Sequence, residues 1–267
     1  MSDLLLARRV AELARAAGDA ILGVYAGSFA VQHKADASPL TAADLAAQRV
    51  LLAGLPALAD VPLLSEEAAA VAWSERRSWR RYWLIDPLDG TREFIKRNGE
   101  FTVNVALIED GRSVLGVVHA PVGGETAWAA AGEGAWLQRA PGAIPDAMQS
   151  RVAPHEPVLA CSRSHGSEEE AALLARLSAH RRLPLGSSLK FLRLAEGSAD
   201  LYLRLGPTSE WDTAAAQCIL EQAGGGVFDL AGTPLRYNAK ESLLNPSFLA
   251  VGDPAQRWHA RLGLPTA

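Results

Sequence analysis

The segment YWLIDPLDGT, residues 82–91, joins an apolar run to a turn that carries two acids. Apolar residues followed at once by Asp86, Pro87, Asp89 and Gly90 are typical of a buried strand that ends in a sharp turn. Burying two uncompensated carboxylates is costly, so such a pair normally holds a cation. Magnesium and other hard cations take carboxylate and carbonyl oxygens and commonly share phosphate oxygens with a substrate. With the threonine hydroxyl that closes the segment, the pattern suggests a metal-dependent phosphoryl-transfer site.

The spacing of the two acids excludes two other kinds of site. An EF-hand loop needs acids or Asn at its first, third and fifth positions, but here Leu88 is third and Gly90 is fifth. A haloacid-dehalogenase-type phosphatase places its two Asp residues two apart, whereas Asp86 and Asp89 are three apart. An Asx-type turn with two solvated acids fits the segment as well, and the segment alone leaves that alternative open.

Two segments that are distant in the sequence also carry acidic residues. Residues 63–67 form a second apolar run that ends in acids, and residues 210–215 (EWDTAA) supply a third acidic segment. Glu66 at a strand end and Asp212 at a helix start can meet the first two acids only through folding. Asp212 also suits a helix N-cap, and a helix N-terminus favours bound phosphate.

The bulk composition limits the classes of function. At 267 residues the chain is long enough for one large domain or two closely packed ones. A net charge of −4 without a basic run argues against a nucleic-acid polymer as partner, although a local pocket can still be positive. Cys161 and Cys218 lack metal-site spacing and suit reduced core cysteines of a cytoplasmic protein. No stretch approaches the ~20 apolar residues that span a bilayer.

Periodicity predicts an α+β first half, residues 1–150, and an α/β second half, residues 151–267. Apolar residues at three- and four-residue steps predict a helix over 6–24, and a capping box at 41–44 begins another helix. An Asp-Gly pair at 110–111 indicates a hairpin. Strands are expected at 103–108, 113–119, 126–131, 135–137, 158–162, 201–205 and 227–229, and further helices at 168–180, 189–196 and 213–223.

The segments 34–44, 83–104, 186–191 and 206–212 together resemble the lithium-sensitive, magnesium-dependent phosphatase superfamily that includes inositol monophosphatase and fructose bisphosphatase. Within it, the stretch WLIDPLDGTREFIKRNGEFTVN is similar to the bacterial CysQ-type 3'(2'),5'-bisphosphate nucleotidases. The resemblance covers most of the chain. It implies an inositol monophosphatase-like sandwich of alternating helix and sheet layers, with the active site between the two halves. It also implies a cytoplasmic enzyme, and some members are described as peripheral on the cytoplasmic face of the inner membrane.

The resemblance further implies a reaction and a set of site residues. The expected substrate is a small anionic nucleotide, adenosine 3',5'-bisphosphate, hydrolysed to AMP and phosphate, with the sulfonucleotide PAPS as a second substrate. Two magnesium ions are expected, and a third, weaker one occurs in this family. The expected metal ligands are Glu66, Asp86, the Leu88 carbonyl, Asp89 and Asp212. The expected catalytic residues are Asp44, Glu66 and Thr91, of which Thr91 and Asp44 orient the attacking water. The expected substrate-binding residues are Glu66, Leu88, Asp89, Gly90, Thr91, His165, Ser187, Lys190, Arg204 and Asp212.

Several of these residues also have structural interpretations. Asp44 suits a first-turn acid that favours the helix dipole, and Lys190 and Arg204 suit a solvated surface. Chemistry alone does not separate Glu66 from its neighbour Glu67 as the ligand. An inositol monophosphatase or sugar bisphosphatase would share the same metal site, and a non-catalytic protein could hold a structural cation there. The oligomeric state is not predicted.

Overall fold

The computed structural model describes residues 2–33, 39–163, 166–177 and 179–264. The helices in these ranges are α1 (Asp3–Tyr25), α2 (Ala42–Leu58), α3 (Trp73–Arg76), α4 (Thr91–Ile95), α5 (Glu168–Leu174), α6 (Leu189–Ala195), α7 (Glu210–Gln222) and α8 (Trp258–Leu262). The strands are β1 (Val31–His33), β2 (Pro39–Thr41), β3 (Leu63–Ser65), β4 (Arg81–Asp89), β5 (Thr102–Glu109), β6 (Arg112–Ala120), β7 (Glu125–Ala130), β8 (Ala135–Gln138), β9 (Asp146–Ala147), β10 (Val158–Ser162), β11 (Arg181–Leu185), β12 (Leu201–Arg204), β13 (Gly226–Asp229) and β14 (Phe248–Val251).

A seven-stranded sheet holds the first acidic segment. Its strands follow the order β3-β4-β5-β6-β7-β8-β9, and β3 pairs parallel to β4 while the other neighbours pair antiparallel. Asp110 and Gly111 both have positive φ, 47° and 75°, in the two-residue turn between β5 and β6. This geometry is typical of tight hairpins, so the hairpin predicted from the Asp-Gly pair is confirmed.

Alternating side chains of β4 face two different cores. Trp83 and Ile85 pack on one side with α1 and α2, whereas Tyr82 and Leu84 pack on the other side with α6 and α7. Since both faces are covered by helices, the strand is apolar almost throughout rather than alternating with polar residues. The acids at its end are thereby placed at the border of a buried layer.

A five-stranded sheet packs against the layer formed by α6 and α7, on the side away from the seven-stranded sheet. Its strands follow the order β11-β10-β12-β14-β13, with β10 parallel to both neighbours and β14 antiparallel to both of its own. Its far face packs with α5 and α8 around a third core. The layers therefore alternate helix, sheet, helix, sheet, helix, as expected. Helix α7 belongs to the second half of the sequence but packs against β4–β8. The boundary near residue 150 stays a prediction.

The structure differs from the sequence expectations in a few elements. The helix expected over 168–180 ends at Leu174, because Leu177 turns into the third core and Arg176 donates to the Leu262 carbonyl at 2.7 Å. Strand β11 was not predicted, since its exposed edge position gives no apolar alternation and tolerates Pro184. In the described part of the chain, no helix is both long and apolar enough to cross a membrane.

Candidate active site

The end of β4 is built around a break in its pairing with β5. Asp86 pairs with Asn104 and Asp89 pairs with Thr102, with a register shift between the two pairs. The Leu88 backbone N–H donates to Asp86 Oδ1 at 3.0 Å, which closes an Asx-type turn. The turn that the alternative reading required is therefore present, but its first acid is not solvated, because Asp86 is only 1% exposed.

Gly90 links this turn to α4. Its φ is 92°, and a Cβ at this position would lie 3.2 Å from both the Glu100 carbonyl oxygen and Ser187 Cβ. Both the left-handed conformation and the close approach of the second half favour glycine here. Thr91 then begins α4 directly beside the acids.

Thr91 and Asp44 form a hydrogen-bonded pair. Thr91 Oγ1 donates to Asp44 Oδ1 at 3.2 Å and lies 3.4 Å from the Leu88 carbonyl. The other carboxylate oxygen of Asp44 accepts from the Thr41 backbone N–H at 2.8 Å and hydroxyl at 2.7 Å, as part of a capping box. Asp44 therefore caps α2 and accepts a hydrogen bond from Thr91 at the same time. The structural interpretation of Asp44 is confirmed, and its catalytic role stays a prediction.

Asp212 reaches the site from the first turn of α7. Ser209 is the N-cap, and Asp212 Oδ2 accepts from the Ser209 backbone N–H at 2.8 Å in a second capping box. The expected helix start at Thr213 is therefore wrong by three residues. Asp212 is the third residue of the helix and completes the capping box there, rather than preceding the helix as its N-cap. Carboxylate oxygens of Asp86, Asp89 and Asp212 all lie within 4.8 Å of one another.

The electrostatics of this cluster fit a cation. Burial and the neighbouring carboxylates of Glu66, Asp89 and Asp212 raise the pKa of Asp86 well above its ordinary value. Burial and Asp89 likewise raise the pKa of Asp212. Such shifts mean that the ionised acids repel one another, and a bound divalent ion would offset that repulsion. An all-oxygen donor set, together with the nearby Leu88 carbonyl, suits a hard divalent ion such as magnesium.

Asp89 is held by polar side chains that the sequence analysis did not select. Its Oδ2 accepts from Ser188 Oγ at 2.9 Å, and Asn104 Nδ2 and Thr102 Oγ1 lie at 3.3 and 3.4 Å. Ser188 Oγ also lies 3.0 Å from the Asp212 carbonyl. Asn104 and Ser188 both belong to segments that carried the family resemblance, which was the available signal for them.

A cavity of about 560 Å³ opens beside the acids. The predicted site residues that line it are Glu66, Asp86, Leu88, Asp89, Gly90, Thr91, Ser187, Lys190, Arg204 and Asp212. Asp44 lies behind Thr91, outside the lining, and His165 lies outside the described residues. Among the described residues, Glu66 lines the cavity and Glu67 does not. The structure therefore favours Glu66 over Glu67 as the residue facing a ligand.

Two buried cations face the same cavity as the acids. Lys190 is 5% exposed and Arg204 is 8% exposed, so the solvated-surface interpretation is wrong for both. Lys190 Nζ donates to the Ser187 carbonyl at 2.5 Å and lies 5.1 Å from the Tyr202 ring centroid. Burial lowers the pKa of Lys190 to about 8, against the opposing effect of Asp89. Arg204 Nη2 donates to the Pro207 carbonyl at 3.1 Å.

Three aromatic side chains complete one wall of the cavity. Tyr202 meets Phe191 and Phe248 edge-on, with centroid distances of 5.5 and 5.6 Å. All three line the cavity, and none was selected from sequence because aromatic residues in a buried element read as ordinary core. The cavity thus combines an acidic region, two cations and an apolar wall, a composition typical of small-molecule sites.

Comparisons with known proteins agree with this geometry. A model of the inositol monophosphatase family matches residues 6–262. The 3'(2'),5'-bisphosphate nucleotidase CysQ of Salmonella typhimurium is 51% identical over 243 residues, which cover 90% of this chain and 97% of that protein. The crystal structure of CysQ from Bacteroides thetaiotaomicron is 38% identical, with a TM-score of 0.82, over 92% of this chain and 96% of that one.

A more distant solved structure supports the fold alone. The IMPase from Thermotoga maritima is 24% identical with a TM-score of 0.78, over 95% of each chain. The layered architecture expected from the sequence motifs is therefore confirmed. From its matching family model, its nucleotidase relatives and its shared fold, the chain belongs to the inositol monophosphatase family.

Proposed function

We propose that this protein is a magnesium-dependent phosphatase that removes the 3'-phosphate of adenosine 3',5'-bisphosphate to give AMP and phosphate. PAPS would be a second substrate, giving adenosine 5'-phosphosulfate. The observation that carries the proposal is the presence of the Asp86, Asp89 and Asp212 carboxylates and the buried Lys190 and Arg204 cations in one cavity. A substrate with two phosphates matches both regions, and the relatives named as bisphosphate nucleotidases support this choice.

The carboxylate region would hold the metal and the reacting phosphate. Two magnesium ions would be held by Glu66, Asp86, the Leu88 carbonyl, Asp89 and Asp212. A third, weaker magnesium ion occurs in this family. When bound, the ions would supply Lewis-acid stabilisation of the negative charge on the reacting phosphate. Ser188 and Asn104 keep Asp89 oriented through the hydrogen bonds described above.

Thr91 and Asp44 would position the attacking water. Because Thr91 donates its hydroxyl proton to Asp44, its oxygen is left to accept a hydrogen bond from water. The water would attack phosphorus in line with the bond to the 3'-oxygen, forming one P–O bond as the other breaks. The proton that the water gives up balances the proton that the released 3'-oxygen takes up. Holding the water in this orientation lowers the entropic part of the barrier.

The second region would hold the part of the substrate that does not react. Lys190, Arg204 and Ser187 would contact the second phosphate and the ribose, and charge-assisted hydrogen bonds make such contacts strong. Phe191, Tyr202 and Phe248 would offer apolar surface to the nucleoside. Gly90 would allow the substrate to approach the turn closely, because no side chain projects from it.

A substrate screen tests the proposal against its alternatives. Phosphate release would be measured on adenosine 3',5'-bisphosphate, PAPS, inositol phosphates and fructose bisphosphate, with and without magnesium. The highest kcat/KM is expected for the bisphosphate nucleotide, and only with magnesium. A preference for inositol or sugar phosphates would favour those sibling activities. Metal binding without turnover would support the non-catalytic alternative, which has no use for the Thr91–Asp44 pair.

We also propose that the protein works in the cytoplasm. Cys161 and Cys218 are both free thiols, and Cys218 is buried. Reduced cysteines are typical of that compartment. Chemical labelling of the purified protein without reductant would count the free thiols, and two per chain are expected.

A further inference from the structure

The buried acid Glu210 lies outside the cavity lining although it comes two positions before Asp212. It begins α7 and is 0% exposed, and its backbone N–H donates to the Leu243 carbonyl at 2.8 Å. A carboxylate at this depth is costly unless hydrogen-bonded or paired. The residues that contact its carboxylate, Asn238 and Lys240, also lie outside the lining of the cavity.

Glu210 fixes a loop to the start of α7. Its Oε2 accepts from the Asn238 backbone N–H at 2.7 Å, and Lys240 Nζ lies 3.9 Å from its Oε1. Asn238 has a positive φ of 51°, a left-handed conformation that asparagine tolerates better than most residues. The carboxylate therefore holds the loop backbone in a conformation that few residues adopt.

The same loop is fixed to α3 by a reciprocal pair of hydrogen bonds. Arg76 Nη1 donates to Asn238 Oδ1 at 2.5 Å, and Asn238 Nδ2 donates to the Arg76 carbonyl at 2.6 Å. Arg76 also donates to the carbonyls of Lys240 and Glu241. Because α3 leads into β4, the series Glu210–Asn238–Arg76 ties the helix that carries Asp212 to the segment before the strand that carries Asp86.

We infer that Glu210 is a positioning residue that holds Asp212 opposite Asp86 and Asp89 before the cation binds. Three carboxylates with oxygens within 4.8 Å repel one another, and this repulsion pushes the first turn of α7 away from β4. The Glu210 series opposes that displacement. Without it, part of the binding free energy of the metal would be used to restore the geometry. The inference rests on the proposed function, since it requires that the cluster binds a divalent cation.

The test is the magnesium affinity of Glu210→Ala. Isothermal titration calorimetry with magnesium alone measures binding without turnover, and phosphate release against magnesium concentration gives an independent midpoint. Both are expected to shift to about tenfold higher magnesium, a change of about 1.4 kcal/mol. The KM for the nucleotide at saturating magnesium should stay nearly constant. Glu210→Gln keeps an acceptor for the Asn238 N–H and should restore most of the affinity.

Two further variants separate positioning from general destabilisation. Asn238→Gly removes the amide that binds Arg76 but tolerates the positive φ, so it should shift the magnesium midpoint in the same direction. It also carries the test if Glu210→Ala does not fold. Asp200→Asn is the matched control, because Asp200 is another buried acid, paired with Arg151 by two contacts of 2.8 Å and outside the cavity lining. It should lower the melting temperature without moving the magnesium midpoint.

The outcomes distinguish this inference from the proposed function. Wild-type magnesium affinity in both Glu210→Ala and Asn238→Gly, with a melting temperature lowered as in Asp200→Asn, would overturn the inference alone. A wild-type chain that binds no magnesium at all would overturn the proposed function and the inference with it. A midpoint shift in both variants but not in the control supports the inference.

Discussion

Thr91 and Asp44 are 47 positions apart in the sequence, yet Thr91 Oγ1 donates to Asp44 Oδ1 at 3.2 Å. The bond joins the first residue of α4 to the first turn of α2. It fixes the direction of the only proton on the threonine hydroxyl, so the oxygen lone pairs are directed elsewhere.

This pair predicts a defect in catalysis rather than in substrate binding. Thr91→Val should lower kcat by about 10²-fold, the usual cost when a reacting group loses its position by about 1 Å, with little change in KM. Thr91→Ser keeps the hydroxyl and should retain most activity. Steady-state kinetics on the three proteins at saturating magnesium check this. Equal kcat in wild type and Thr91→Val would show that the hydroxyl does not position the water.

Asp86→Asn should separate stability from activity. Removing one charge from the repelling cluster should abolish phosphate release while raising the melting temperature of the metal-free protein. The rise is expected to be roughly 2–4 °C for each kcal/mol of repulsion relieved. Calorimetric scanning in the presence of a chelator, together with a phosphate-release assay, measures both. Near-normal turnover at ordinary magnesium concentrations would refute the role of Asp86 as a metal ligand.

Lys190→Ala and Arg204→Ala should each lower kcat/KM for adenosine 3',5'-bisphosphate by about one to two orders of magnitude. Each charge-assisted contact is worth roughly 1.5–3 kcal/mol, which gives that range. A small substrate without the second phosphate should be hardly affected. Equal losses on both substrates would mean that these side chains support the fold or the metals, and no loss on either would remove them from the substrate site.

The pH dependence of kcat/KM provides a separate test of Lys190. Its pKa of about 8 means that the free enzyme loses this positive charge as the pH rises through 8. Binding of the second phosphate should weaken over that range, so kcat/KM should fall. Lys190→Arg stays charged and should keep its kcat/KM to higher pH. Parallel pH profiles for the two proteins would contradict this assignment.

His119 predicts how the unfolding free energy depends on pH. Its ring is buried, with Nδ1 3.0 Å from Thr126 Oγ1, and burial lowers its pKa to about 4. The unfolded chain therefore takes up the proton first as the pH falls from about 6.5 toward 4, and the native state loses about 3 kcal/mol of stability over that window. Above pH 6.5 the full contribution remains.

Urea denaturation of wild type and His119→Asn at pH 7 and pH 4.5 measures this loss. The variant cannot take up the proton, so its stability should fall less between the two pH values. Because all other titrating groups are common to both proteins, the difference between the two curves isolates His119. Curves that stay parallel would show that this histidine does not titrate as its burial requires.

Three acids of the site could be predicted from sequence because they follow apolar runs that end abruptly. Glu66, Asp86 and Asp89 all had this local signal, and Thr41 with Asp44 had the capping pattern. That these residues meet in space could not be predicted from the local sequence around each one. That prediction came from the resemblance to a family of known fold. The roles assigned to these residues stay predictions until the variants above are measured.

Other features depend on contacts that leave no local trace. Ser188 and Asn104 bind Asp89 from 99 and 15 positions away in the sequence, so neither stands out as a partner of this acid. The burial of Lys190 and Arg204 also depends on how α6 packs against β12 in the assembled layers, whereas the charge of these side chains alone suggests a surface position. The start of α7 was misplaced because Asp212 acts inside the helix rather than before it.

The position of α7 limits how the chain can be divided. This helix follows most strands of the second half in the sequence, yet its apolar side covers β4–β8 and its first turn supplies Asp212. A fragment ending near residue 150 would expose that face of the sheet to water and would contain only part of the acid cluster. The two halves are therefore poor candidates for separate expression or for circular permutation between them. A cation bound by ligands from both halves would also stabilise their association.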